Sequence, residues 1–194
     1  MADVDLSLTV VRNVEEMRKA GGWPSEQALN RLAAQIAMGF KAKKDEVAIL
    51  RVSADGRIIS FLFPIKLAKV GAIPLTTTHS LAAKNIREKR GEIVNNFAAY
   101  KHPTVFESVD LSEQEKAAPI QKIVSAPMIV DGKIVGVIQV SRKAKPGDPV
   151  GPDFTAKDMS ELTAVGVILG KYLAALPATP PKAVPAQPAQ PAKT

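Results

Sequence analysis

Alternating apolar and polar positions mark two β-hairpins along the chain. Residues 46–63, EVAILRVSADGRIISFLF, contain two β-rich runs joined by a turn at Asp55 and Gly56. Residues 124–145, VSAPMIVDGKIVGVIQVSRKAK, repeat the arrangement around Asp131 and Gly132 and end in basic residues. Because Asp-Gly between apolar runs is typical of a tight hairpin turn, each stretch is predicted to be a pair of antiparallel strands.

Apolar residues at helical spacing predict one amphipathic helix before the hairpins and one after them. The first lies in residues 23–40, with Pro24 and Ser25 suited to its start. The second lies in residues 154–176, with Thr155 and Asp158 as a candidate capping pair. Their apolar positions are Leu29, Leu32, Ala33, Ile36 and Phe40 in the first helix, and Met159, Leu162, Val165, Leu169, Tyr172 and Leu176 in the second.

A short basic helix and a brief strand are predicted between the hairpins. In residues 78–91, THSLAAKNIREKRG, Ser80 can cap a helix and Gly91 can end it. The following EIVNN has the pattern of a strand, whereas the polar stretch from Phe97 to Ala118 favours a loop with a helical turn.

Composition divides the chain into three parts. Residues 1–22 combine the short apolar run LSLTVV with a charged stretch and Gly-Gly, which indicates a loosely attached arm. Residues 23–176 hold the predicted elements and form one folded domain. Residues 177–194 are rich in Pro and Ala, cannot bury a core, and are predicted to be a disordered tail.

The order of elements favours an antiparallel sheet with helices on its faces, and both GAF-like and PAS-like architectures fit it. Residues 125–143, SAPMIVDGKIVGVIQVSRK, resemble the signature hairpin of GAF domains, in which a small residue and Pro precede an apolar strand and Gly-Val begins the next one. Residues 71–96 are similar to the segment that GAF domains place over the sheet. PAS domains lack this hairpin followed by a long helix. The resemblance covers about residues 25–175 and implies an α+β, GAF-like fold with an antiparallel sheet and helices on both faces.

The composition limits chemistry and location. The 194 residues include no cysteine, which excludes disulfides, thiolate metal sites, thiol nucleophiles and thioether-linked chromophores. No apolar run is long enough to cross a membrane, and the opening MADVDLSLTVV lacks the features of a secretory signal. We therefore expect a cytoplasmic protein without a membrane partner.

A net charge of +7 raises the question of a polyanionic partner. Aromatic residues for base stacking are scarce, with one Trp, two Tyr and six Phe, so nucleic-acid binding is not expected. The basic residues are spread almost evenly, with small clusters only at Lys41, Lys43 and Lys44, at Lys84, Arg87, Lys89 and Arg90, and at Arg142, Lys143 and Lys145.

The resemblance also implies where a ligand would lie. In cyclic-nucleotide-binding GAF domains a Lys–Asp ion pair braces the pocket edge, and Lys143 and Asp158 match those positions. Arg142 and Met159 replace the Asn and Glu of that pattern, which argues against a cyclic nucleotide; capping by Asp158 and core packing by Phe154 are the alternative roles. Polar candidates for the pocket in the segment over the sheet are Thr78, His79, Ser80, Asn95, Asn96, Lys101 and His102.

The residue inventory offers little catalytic chemistry. The sulfoxide reduction and bilin attachment known among GAF-like proteins use cysteine, which this chain lacks. His79 and His102 are the only imidazoles, and ordinary capping or loop roles are the alternatives for both. No His-Glu-x-x-His spacing is present, so no metal site is expected. The cofactor is unknown, and haem stays open because a single axial histidine would suffice.

We expect a non-catalytic sensory or regulatory module that binds a small molecule and signals through a protein partner in trans or through a dimer. A ligand-free interaction or dimerisation module is the alternative, and an enzyme of unrecognised type is the third hypothesis. A homodimer is expected through residues 25–40 and 156–176, because extra apolar residues and a groove at Gly166 and Gly170 widen the apolar surface of the second helix.

Overall fold

The computed structural model describes residues 5–68, 71–97 and 118–177. A single 3₁₀ turn at Lys44–Glu46 leads into the first strand. The helices and strands in chain order are α1 (Leu6–Ala20), α2 (Glu26–Gly39), β1 (Val47–Val52), β2 (Ile58–Phe63), α3 (Ile65–Ala68), β3 (Ala72–Pro74), α4 (Leu81–Glu88), β4 (Glu92–Val94), β5 (Ile120–Val130), β6 (Lys133–Lys143) and α5 (Ala156–Ala174).

Six antiparallel strands form one sheet in the order β3-β2-β1-β6-β5-β4. Both predicted hairpins are present, as β1–β2 and β5–β6, and the pairing of β1 with β6 joins them at the centre of the sheet. The β5–β6 turn has φ angles of 49° at Asp131 and 75° at Gly132. Two successive left-handed residues are what a two-residue turn of type I′ requires.

Helices cover both faces of the sheet, as the sequence predicts. Ile49 and Ile138 pack among side chains of α1, α2 and α5, and we call this side the three-helix face. Their neighbours Leu50 and Val137 pack with side chains of α3 and α4 on the opposite side, the α4 face. Successive strand residues point to opposite faces, so the sheet has an apolar core on each side.

The expectation of a loosely attached arm at residues 1–22 is wrong. Residues 6–20 form α1, which packs against α2 and α5. Asp5 begins the helix, and its carboxylate accepts hydrogen bonds from the backbone N–H groups of Ser7 and Leu8. Three side chains of α1 are buried in the core at a spacing of four and three residues: Val10, Val14 and Met17.

The predicted helix starts are confirmed, and one predicted helix end is wrong. Ser25, Ser80 and Thr155 each accept a backbone hydrogen bond from the first turn of their helices, and Thr155 with Asp158 forms a capping box. α4 ends at Lys89, whose φ of 52° is left-handed, rather than at Gly91. The left-handed residue ends the helix because its backbone cannot continue the α-helical turn.

The prediction of an exposed groove at Gly166 and Gly170 is also wrong. Both glycines are buried toward the sheet, where a Cβ would meet Ile138 at 3.5 Å from Gly166 and Val130 at 3.0 Å from Gly170. They let α5 approach β5 and β6 closely, and they are not exposed to a second helix. The expected tail, apart from Pro177, lies outside the described residues, as does most of the stretch between Phe97 and Ala118.

Candidate functional site

A row of polar side chains crosses the α4 face. The strand registers place Gln139 of β6 opposite Ser125 of β5, and Ser125 opposite Glu92 of β4. Ser125 is fully buried, and Gln139 Nε2 donates a hydrogen bond to its Oγ over 2.9 Å. Ile123 and Val137, each two residues away along a strand, pack with α4 side chains, which places the row on the same face. We call Gln139, Ser125 and Glu92 the polar row.

Asn85 brings a buried and unpaired amide to this face. It is 1% exposed and lies on the same side of α4 as Ala82 and Ile86, which pack on the sheet. Within the part of the chain that the structure describes, neither its Oδ1 nor its Nδ2 has a hydrogen-bond partner. Buried polar groups are nearly always paired, and an unpaired one costs about 1–3 kcal/mol. Asn85 therefore holds donor and acceptor capacity that the described residues do not use.

An ion pair lies at the edge of the same region. Lys84 of α4 contacts Glu92 of the polar row, with Nζ 2.7 Å from Oε2. Both side chains are partly exposed, so water screens the pair and its contribution to stability is modest. The pair adds one positive and one negative group beside Asn85 and Ser125.

The predicted pocket residues before α4 have mostly structural or solvent-facing positions. Ser80 is buried, and its Oγ accepts a hydrogen bond from the Ala83 N–H at 3.2 Å. Thr78 and His79 are exposed. Arg87 of α4 donates to the backbone carbonyls of Leu75 and Thr77 and holds this loop against α4.

The predicted pocket residues after β4 that the structure describes do not lie in one common site. Asn95 forms a reciprocal pair with the Phe154 backbone, donating to its carbonyl at 3.0 Å and accepting from its N–H at 2.9 Å. This pair fixes the segment that precedes α5. Asn96 is exposed, and Lys101 and His102 lie outside the described residues. The structure therefore does not gather the described candidates into one site.

The expected ion pair between Lys143 and Asp158 is not formed. Lys143 Nζ donates to the Asp45 carbonyl at 2.7 Å and lies 3.4 Å from the Asp45 carboxylate. The Asp158 carboxylate accepts from the N–H and hydroxyl of Thr155. Asp158 therefore caps the start of α5, which is the alternative role considered for it in the sequence analysis.

Arg142 has a structural role at the position where the resemblance implied a pocket edge. Its buried guanidinium donates to the carbonyls of Pro152, Lys41 and Phe40. It also lies over the ring of Phe154, 4.5 Å from the ring centre. Phe154 is itself buried, as its predicted core role requires.

A cleft of about 320 Å³ lies between α1 and α2, away from the α4 face. Glu16 and Arg31, which line it, form an exposed ion pair with a 2.7 Å contact. Trp23 also lines it, and the Arg51 guanidinium lies 4.8 Å from the centre of the Trp23 ring. Arg51 donates to the last carbonyls after α5, and its burial lowers its pKa. These contacts tie the α1–α2 connection to the end of α5.

The described residues contain neither a candidate metal cluster nor a helix suited to span a membrane. Within residues 5–68, 71–97 and 118–177, no group of three His, Asp or Glu side chains could hold a metal ion. Over the same ranges, no helix combines the length and apolar character needed to cross a bilayer.

Asn85 was missed from the sequence, although a signal for it exists. The apolar face of α4 runs through Leu81, Ala82 and Ile86, and Asn85 occupies the position of that face one turn after Leu81. A polar residue on the buried face of a short helix is a better indicator of a site than polar residues in the flanking loops, which have water available.

Comparisons with known proteins agree on the fold. Neither a scan against protein-family models nor a search of curated proteins found a match. The GAF domain of an Acinetobacter phosphoenolpyruvate-protein phosphotransferase aligns with 15% identity and a TM-score of 0.61, over 86% of this chain and 92% of its own. The corresponding GAF domain from Coxiella burnetii aligns with 13% identity and a TM-score of 0.59, over 90% and 95%.

An enzyme has a similar structure. The free methionine-R-sulfoxide reductase from Neisseria meningitidis, in complex with its substrate, aligns with 16% identity and a TM-score of 0.51, over 77% of each chain. Identities this low establish the architecture alone. The resemblance stated from the hairpin sequence is confirmed at that level: the chain has a GAF-like fold.

Proposed function

We propose that this protein is a non-catalytic regulatory module that binds a small polar molecule on the α4 face and signals to a partner. The observation that carries the proposal is Asn85, which is buried on the α4 face without a hydrogen-bond partner among the described residues. A purely structural core gains nothing from such an amide, because a leucine of similar volume would avoid the cost of burying it.

The arrangement of Asn85 indicates the kind of ligand. Its Oδ1 needs a donor and its Nδ2 needs an acceptor, so a molecule with adjacent donor and acceptor atoms would satisfy both. A carboxamide, a lactam or a carboxylic acid has such an edge. The buried Ser125 and the partly exposed Gln139 lie on the face that α4 covers and offer further polar contacts.

The non-catalytic part of the proposal rests on the residue inventory. The chain has no cysteine, and of its two histidines His79 is exposed in the loop before α4. Known structures with this architecture include both GAF domains and a reductase, so the fold does not separate the two functions. The polar row carries hydrogen-bonding groups and one ion pair, which suit recognition better than covalent chemistry.

The decisive experiment is native mass spectrometry of the protein purified without denaturation. We expect the wild type to retain a small-molecule mass that Asn85→Leu loses, while Asn96→Ala, a change at an exposed asparagine, keeps it. Asn85→Leu should also raise the melting temperature of the ligand-free protein, because it removes an unpaired buried amide. Identical spectra without bound mass for all three proteins would contradict the proposal and favour the ligand-free interaction module.

A further inference from the structure

The fold joins two basic clusters that are far apart in the sequence. The Glu46 carboxylate accepts the backbone N–H of Lys43 at 2.7 Å and the backbone N–H of Lys143 at 2.6 Å. The carbonyl of Lys41 accepts from the guanidinium of Arg142 at 3.2 Å. The clusters from residues 41–44 and 142–143 therefore meet at one end of the sheet, where β6 finishes and the chain passes from α2 to β1.

Lys66 of α3 extends the same surface. Burial and the neighbouring positive charge of Lys143 both lower its pKa, and Asp45 acts in the opposite direction. Asp45 is an exposed carboxylate that partly offsets the charge of Lys143, whereas Glu46 is buried and both its oxygens accept backbone hydrogen bonds. The basic end is the name used below for Lys41, Lys43, Lys44, Lys66 and Lys143.

Exposed apolar side chains stand beside the basic end. Met38 is 67% exposed, and its carbonyl accepts a hydrogen bond from the Lys41 N–H. Leu8 lies in the first turn of α1 and is 58% exposed, and Leu6 in the same turn packs directly over Gly39 at the end of α2. Two of the most exposed large apolar side chains in the described part of the chain thus lie at the end that carries the lysines.

We propose that the basic end docks on an anionic lipid surface. Lysines attract acidic headgroups, and protruding Met and Leu side chains gain free energy by entering the interfacial region of a bilayer. This combination fits lipid better than nucleic acid, because the basic end has no aromatic side chain to stack on bases. It also disfavours a second copy of the chain, since a symmetric contact would bring like charges together.

The test is flotation of the full chain with lipid vesicles. We expect the wild type to float with vesicles of phosphatidylcholine containing phosphatidylglycerol and to stay unbound with phosphatidylcholine alone. Binding should weaken as salt is raised, because screening acts on the exposed charges. The double variant Lys43→Glu and Lys44→Glu should reduce the affinity at least about tenfold.

The matched control changes the same amount of charge at the other end of the sheet. Lys133 is exposed next to the β5–β6 turn, about 33 Å from Lys143 at the rise of an extended strand. Lys171 is exposed on α5 and follows Gly170. Gly170 packs against Val130 at the end of β5, so Lys171 lies at the same end of the sheet as Lys133. The variant Lys133→Glu with Lys171→Glu should bind vesicles as the wild type does.

The variant Met38→Ser distinguishes insertion of an apolar side chain into the bilayer from electrostatic attraction to the headgroups. It leaves the charges unchanged, so it should weaken binding to acidic vesicles and make the remainder more sensitive to salt. Circular dichroism should give every variant the melting temperature of the wild type. The proposal is overturned if the wild type does not float, if both charge variants lose binding equally, or if duplex DNA competes the protein off acidic vesicles at equal phosphate concentration.

Discussion

Among the described residues, the Tyr172 hydroxyl and both polar atoms of the Asn85 amide are buried without a hydrogen-bond partner, but the two side chains have different surroundings. The Tyr172 hydroxyl belongs to α5 and lies in the apolar cluster of the three-helix face. Asn85 lies on the face that carries the polar row. The unpaired Tyr172 hydroxyl is a cost that packing of its ring offsets, whereas the unpaired Asn85 amide is the group on which the proposed function rests.

The contrast predicts that Tyr172→Phe stabilises the protein. Removing the unpaired hydroxyl should add about 1 kcal/mol to the free energy of unfolding at neutral pH. Burial raises the pKa of Tyr172 above its ordinary value of 10.0, so the folded state holds the proton more tightly than the unfolded state. The free energy of unfolding is therefore unaffected by this proton below about pH 10. It decreases as the pH rises through the raised pKa, because ionisation is more costly in the folded state.

Urea unfolding at neutral pH and above pH 10 checks both parts of this prediction. The stability of the wild type should fall more steeply with alkaline pH than that of Tyr172→Phe. If the variant is less stable than the wild type at neutral pH, the hydroxyl has a hydrogen-bond partner. If both proteins lose the same stability between neutral and alkaline pH, the pKa of Tyr172 does not change on folding.

Elements with an unambiguous hydrophobic period could be predicted from the sequence, and α1 could not. The two hairpins and the helices α2, α4 and α5 follow from alternation, helical spacing and caps. In LSLTVV the β-branched residues and the short apolar run concealed the helical spacing that continues to Met17. Packing against α2 and α5 stabilises α1 as a helix. The hydrophobic periodicity of a sequence does not show such long-range contacts.

The β5–β6 turn gives a prediction at the scale of an element. Gly132→Val should lower the free energy of unfolding by about 1–3 kcal/mol, because a β-branched residue is strained at positive φ. A Cβ at Gly132 would meet no atom within 4 Å, so the loss would come from the backbone and not from a clash. Gly132→Asn is the control, since Asn tolerates the left-handed region and should cost much less.

Denaturant titration of the two Gly132 variants gives the measurement. Equal stability of the Val and Asn variants would contradict the turn type, because only a left-handed conformation distinguishes these residues so strongly.

At the scale of the whole molecule, the sheet order creates the candidate site. The polar row draws on β4, β5 and β6, and its members belong to segments near residues 92, 125 and 139. The sequence predicted these three strands and the β5–β6 pairing, but not that β4 lies beside β5. It therefore placed the site in the loops around α4 and after β4. The same limit affected the basic clusters, which were read as separate and meet only because β1 pairs with β6.

The position of α1 also changes what the whole molecule presents to a partner. α1 packs on both α2 and α5, the helices through which a homodimer was expected, so it occupies part of that surface. Val167 remains 41% exposed on α5, whereas Ile168 packs against the core. A dimer that uses both α2 and α5 would therefore also contact the outer side of α1.

Integration of α1 into the domain yields the last prediction. Val10 is completely buried, whereas Leu8, two residues before it, is 58% exposed. Val10→Ala should lower the free energy of unfolding by about 1–3 kcal/mol, because it leaves a cavity between α1, α2 and α5. Leu8→Ala on the same helix should change it by less than about 0.5 kcal/mol. Both variants should unfold in one cooperative transition followed by circular dichroism, since α1 shares the core of the three-helix face. Equal stability of the two variants, or a separate early transition, would show that the first helix is the loose arm suggested by its sequence.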